Sequence, residues 1–134
     1  MKYSPILLSI LAFTSTVSAS TSNPTDAELN DWMAYLKSVS LPVTIEVCSP
    51  LLAGKASYSE IAKQWLDAHA DEIQRGHDFA VAGTPKGRDF DQYYAAMLAD
   101  FKQTLTAKPD DAKLKVCNES LEALQKSDVR PGGT

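Results

Sequence analysis

The sequence predicts an all-α protein, a small bundle of four to five helices stapled by one disulfide. Three observations predict it. Apolar residues recur at three- and four-residue steps in several long segments, which is the spacing of one face of a helix. Turn and cap residues separate those segments at helix-sized intervals. Cys48 and Cys117 stand alone as a pair behind an N-terminal export signal.

The signal is residues 1–19. Lys2 supplies a positive start, Pro5 to Phe13 an apolar run, and Val17-Ser18-Ala19 the small residues of a cleavage site after Ala19. The run is shorter than the roughly 20 apolar residues a bilayer requires and is diluted by serine and threonine, so it reads as a cleaved signal and not as an anchor. The mature chain is then expected in a periplasm or outside the cell, with no membrane attachment once the signal is removed. Residues 20–126 make one helical domain, enough for a single modest core. Residues 127–134 form a Pro/Gly-containing tail without an apolar face, expected to be flexible.

In order along the domain, Thr25-Asp26-Ala27-Glu28 has the capping-box spacing and opens the first helix. Leu29, Trp32, Met33, Leu36 and Val39 give it one apolar stripe, with Trp32 expected in the core. Ser40-Leu41-Pro42 is expected to interrupt this helix, because proline suits the first turn of a new one. The next segment, Val43 to Cys48, reads both ways. Its β-branched residues favour strand, but the chain offers no second strand-like run to pair with it, which favours a short helix ending near Pro50.

Ser57 and Glu60 repeat the capping-box spacing and open a helix carrying Ile61, Trp65, Ala68, His69 and Ile73, with Gly76 as a left-handed stop. Gly83 to Arg88 is the strongest loop signal. Phe90, Tyr93, Tyr94, Met97, Leu98, Phe101 and Leu105 then give the cleanest amphipathic pattern in the chain. A last helix starts at Pro109-Asp110-Asp111, where the carboxylates complement the positive end of the helix dipole, and carries Leu114, Cys117, Leu121 and Leu124 on one face.

In an oxidising compartment two cysteines with no third pair as a disulfide. Cys48–Cys117 would close a loop of 69 residues, for which the chain-entropy estimate is on the order of 4 kcal/mol. Redox catalysis would place the cysteines close together as C-x-x-C, which they are not.

The remaining chemistry is excluded by residue type and spacing. A net charge of −4 with 13 basic residues spread along the chain does not form a phosphate-binding surface, so no nucleic-acid partner is expected. His69 and His77, with Glu72 and Asp78 nearby, are eight residues apart and fall short of the three or four converging ligands of a metal site. No serine lies in a G-x-S-x-G turn, and no nucleophile with a base beside it is readable. Asp89 and Asp91, like Asp110 and Asp111, sit at helix starts, where capping accounts for them. C-x-x-C-H is absent, and Met97 on a helix face reads as packing and not as a haem ligand. No cofactor and no catalytic residue are assigned. Asn118-Glu119-Ser120 has the form of a glycosylation sequon but falls within the last helix and reads as a solvated face.

Binding is left. Lys86, Arg88, Phe90, Tyr93 and Tyr94 gather an aromatic group beside the Pro/Gly loop. Adjacent Tyr93 and Tyr94 cannot face the same way on a helix, so one is expected at the margin, as a contact edge for another protein. With its signal, size, helical content and two cysteines, the chain resembles small exported helical proteins such as the type VI amidase immunity proteins and the acid-stress chaperones of the periplasm. The resemblance includes no motif and transfers no functional residue. It implies a non-enzymatic binding role, as an immunity protein or inhibitor of a toxin or hydrolase, with a stress chaperone or a small-ligand carrier as the alternatives.

Overall fold

The computed structural model describes residues 23–52 and 57–126, and over them it is all-α, with no strand. The helices are α1 (Asp26–Cys48), α2 (Tyr58–Ala68), α3 (Ala70–Ala82), α4 (Phe90–Ala107) and α5 (Asp110–Lys126). The expected signal at 1–19 and tail at 127–134 lie outside the described residues.

α1 starts where the capping box places it. The Glu28 amide donates to Thr25 Oγ1 at 3.2 Å and the Thr25 amide donates to Glu28 Oε2 at 2.7 Å. It does not stop at Pro42. The helix runs through the proline to Cys48, and Val43 to Cys48 is helical. Pro42 is exposed, whereas Leu41, Thr44 and Cys48 around it are buried. Burial of that inner face outweighs both the lost proline N–H bond and the β-branched run, because local propensity is weak beside tertiary packing. Three hydroxyls near the proline turn back onto the helix backbone: Ser38 on the Tyr35 carbonyl, Ser40 on Lys37 and Thr44 on Ser40.

The helix expected from Ser57 to Gly76 is two helices. Ser57 occupies the N-cap of α2, but its side chain makes no cap hydrogen bond. α2 ends at Ala68, and His69, at φ −112° and ψ 17°, joins it to α3. Gly76 is not a stop. It lies buried inside α3, at the place where α3 crosses α1, and a Cβ there would run into the Asp31 carbonyl and sit 2.8 Å from Tyr35 Cβ. Its missing side chain is what lets the two backbones meet. α3 ends at Gly83 in a right-handed conformation, and the one left-handed residue described is Gly87, at φ 84° in the following turn.

α4 and α5 form as their patterns predict. Asp89 caps α4 by accepting from the Gln92 amide at 3.0 Å, and Asp110 and Asp111 lie in the first turn of α5. Cys48, the last residue of α1, is bonded to Cys117 in the middle of α5, with Cα atoms 5.4 Å apart and both side chains fully buried. Around the disulfide pack Leu41, Leu52, Tyr58, Ala62, Trp65, Leu121 and Leu124. A second cluster, Tyr35, Ala80 and Tyr94, lies between α1, α3 and α4. Trp32 flanks this second cluster, half-buried and not enclosed.

Candidate functional site

The second cluster is the floor of the candidate site. α1 brings Trp32 and Tyr35, α3 brings His77 and Ala80, and the first turns of α4 bring Phe90 and Tyr94. The loop between α3 and α4 holds its shape through hydrogen bonds to backbone carbonyls: the Thr84 hydroxyl donates to the Ala80 carbonyl at 3.0 Å and the Arg88 amide donates to the Pro85 carbonyl at 3.1 Å. The turn at Gly87 and the Asp89 cap then set the direction in which α4 leaves.

The rings contact one another continuously. Tyr35 lies 6.3 Å from Phe90 in a stacked arrangement and 5.4 Å edge-on from Tyr94, and Phe90 lies 4.6 Å from Tyr94. The His77 ring sits edge-on to both Tyr35 and Phe90 at 5.4 Å. Ring pairs at these separations add stabilisation beyond the area they bury. The Trp32 indole donates to the Tyr94 hydroxyl at 3.3 Å, which gives the inward tyrosine its polar partner. Burial first, then the charges of Tyr94 and Asp91, push the Tyr35 phenol above its ordinary range.

Above this floor is a groove of about 270 Å³, walled by Trp32, Phe79, Pro85, Arg88, Tyr93 and Tyr94. Of the five residues singled out in the sequence, the structure brings Arg88, Tyr93 and Tyr94 together at the groove. Phe90 packs beneath them, and Lys86 is exposed on the loop without lining it. The adjacent tyrosines divide as helix geometry requires: Tyr94 is 9% exposed and Tyr93 is 52% exposed. Trp32, Phe79 and Pro85 are the groove residues that sequence reasoning missed. Trp32 and Phe79 lie on helices far apart in the chain, and their convergence follows from the α1–α3 crossing at Gly76, a residue whose local signal is that of a helix end.

The histidines are engaged separately. His69 Nδ1 lies 2.8 Å from the Trp65 carbonyl, while His77 Nδ1 lies 3.3 Å from Asp78. Among the described residues no group of three metal-ligating side chains converges. Asn118 and Ser120 of the sequon lie within α5, and the Ser120 hydroxyl is engaged with the Tyr58 hydroxyl at 2.6 Å.

The fold and the groove together define a class, over the described residues a disulfide-stapled bundle of five helices that presents an aromatic edge beside a short loop. No protein-family model, no curated protein and no solved structure matches the chain. The disulfide fits an oxidising compartment, and among the described residues no helix is long and apolar enough to cross a membrane.

Proposed function

We propose that this chain is an exported, non-enzymatic helical binding protein, periplasmic or secreted, that acts by contacting another protein through the Arg88–Tyr93 edge. The observation that carries the reading is Tyr93, a half-exposed ring standing edge-on at 5.4 Å against the buried Tyr94 and lining the same groove as Arg88. Tyrosine and arginine at the mouth of an apolar recess are the residue types that dominate protein interfaces, and a ring fixed by its neighbour loses little entropy on binding. Lys86 flanks the same edge on the loop. The partner would be a toxin or hydrolase that an immunity protein or inhibitor occludes; the overall charge of −4 aids long-range encounter with a basic protein, while the cationic Lys86–Arg88 edge itself suits acidic or aromatic groups on it.

The test uses the oxidised mature chain as bait in its native compartment, followed by titration with the purified partner. Arg88→Ala with Tyr93→Ala should weaken the complex by about 100-fold, since paired interface anchors each contribute more than 1 kcal/mol. Failure to recover any saturable partner, or equal affinity for the double variant, rejects this edge as the contact surface. Sequencing the exported protein should find Ser20 at its N-terminus.

A further inference from the structure

A second cleft shares no residue with the aromatic groove. α4 and α5 follow each other in sequence, but their backbones stay apart, and α5 reaches the rest of the bundle through α2 and α1. The space left is a cleft of about 670 Å³, within the range of small-molecule sites. Its walls are chiefly apolar, with Met33 and Leu36 from α1, Met97, Leu98 and Phe101 from α4, and Val116 from α5. Met33 is 59% exposed although it stands on the apolar stripe of α1, so the cleft includes apolar surface that the fold leaves uncovered.

Two polar features adjoin that lining. Trp65 is 3% exposed, and its indole N–H is the one buried side-chain polar group among the described residues that has no hydrogen-bond partner. Buried donors are nearly always paired, so an acceptor brought from outside would be favoured there. Lys37 places its ammonium 5.0 Å from the centre of the same indole ring. Lys63, Lys102 and Lys113 each pair with a carboxylate, but Lys37 pairs with none among the described residues. His69 stacks on the indole at 4.6 Å and holds the ring in place. Glu72 also lines the cleft, and its charge disfavours a head group carrying two negative charges.

We propose that this cleft binds a straight-chain fatty carboxylate. The carboxylate lies between the Lys37 ammonium and the Trp65 indole N–H, and the alkyl chain runs along Met33, Met97, Leu98 and Phe101. The half-buried Lys37 side chain shifts with the entering head, and the unbranched methionines adapt to the chain. The inference does not depend on the protein contact proposed above.

The test is a titration of the oxidised mature protein with sodium laurate below its micelle concentration, read on the two indole N–H resonances. Saturable, equimolar binding should move the Trp65 resonance and leave that of Trp32, assigned by a Trp32→Phe variant, in place. Lys37→Gln should weaken laurate binding at least about tenfold, the scale of one lost charge-assisted contact. Dodecanol, with the same chain and no charge, should bind more weakly than laurate by a similar factor. Met33→Glu, at an exposed position that leaves the fold intact, should abolish binding by setting a charge against the apolar wall along which the alkyl chain runs. Phosphatidylglycerol vesicles should not sediment the protein. Absence of saturable binding, movement of the Trp32 resonance alone, or unchanged affinity in Lys37→Gln overturns the proposal. Sedimentation with the vesicles overturns it in favour of a membrane surface.

Discussion

The crossing of α1 with α3 and the side where α4 faces α5 are built from similar amphipathic helices and end up as opposites. At the first, Gly76 brings two backbones into contact, and Arg75 closes the margin with a two-pronged bond to Asp31 at 2.8 and 3.0 Å. At the second, the helices diverge, and α5 is secured by the buried Cys48–Cys117 bond and by its packing on α2. α4 carries an apolar stripe from Phe90 to Leu105 that is legible in the sequence, yet Met97, Leu98 and Phe101 remain only partly covered. The contrast teaches that the closeness of two helices is set by the smallest residue at the crossing, and not by how regular the apolar stripe is.

The largest expected effect comes from removing the covalent link. Cys48→Ser with Cys117→Ser should cost on the order of 4 kcal/mol, the loop-entropy value for a 69-residue closure. Amide exchange should accelerate most in α5 and least at the α1–α3 crossing. Equal acceleration in both would remove the distinction between a region held by proximity and one held by a bond.

Gly76→Ala has a predicted sign opposite to that of an ordinary helix position. A free helical site gains up to about 1 kcal/mol from this change. Here the added methyl meets the α1 backbone and should destabilise by about 3 kcal/mol in a urea titration. A gain in stability would show that the crossing is looser than described.

Tyr58→Phe tests how much packing secures α5 in addition to the disulfide. It removes the 2.6 Å hydrogen bond to Ser120 across α2 and α5 and should cost about 1 kcal/mol. Burial raises the Tyr58 phenol above its ordinary range, and its bond to Ser120 offsets part of that rise. A raised folded-state value means that the unfolded chain loses its proton first. Stability is therefore fully present below about pH 10, the usual tyrosine value, and falls as pH rises above it. Tyr35, raised mainly by burial, contributes in the same direction. The alkaline unfolding limb should be shallower in Tyr58→Phe, and an unchanged limb would assign the fall to other groups.

Arg75→Gln should have the smallest effect. The Asp31 hydrogen bonds raise the already high guanidinium value, but the arginine side chain is largely exposed, where ion pairs contribute little and are screened by salt. A slight lowering of the thermal midpoint that disappears at molar salt is expected. A large loss would mean that the ion pair, and not Gly76, holds the crossing.

Much of the helical content was legible in local chemistry. The Thr25–Glu28 capping box, the Phe90 to Leu105 stripe and the Pro109-Asp110-Asp111 start are each settled within a few residues, and each is found where the sequence places it. The division of Tyr93 from Tyr94 was legible for the same reason, since it follows from helix geometry alone. The misreadings at Pro42 and Gly76 share one cause: each residue carries a strong local signal that tertiary packing overrides, whereas the break at His69 has no local signal in the sequence. Pro42 is accepted because the opposite face of α1 is buried, and Gly76 continues its helix because α1 passes against it. The candidate groove was half legible: Arg88, Tyr93 and Tyr94 come from one continuous segment, whereas Trp32 and Phe79 arrive from helices distant in the chain.

By itself the amino-acid order determined helical class, the capping of α1 and α4, the start of α5 and the pairing of the two cysteines, because these depend on periodicity, side-chain reach and a count of thiols. Only the tertiary structure decided where α1 ends, that α2 and α3 are separate, and that one crossing is tight while the α4–α5 side stays open. Those outcomes depend on contacts between residues far apart in the chain, whose energies outweigh the local preferences of the residues that make them.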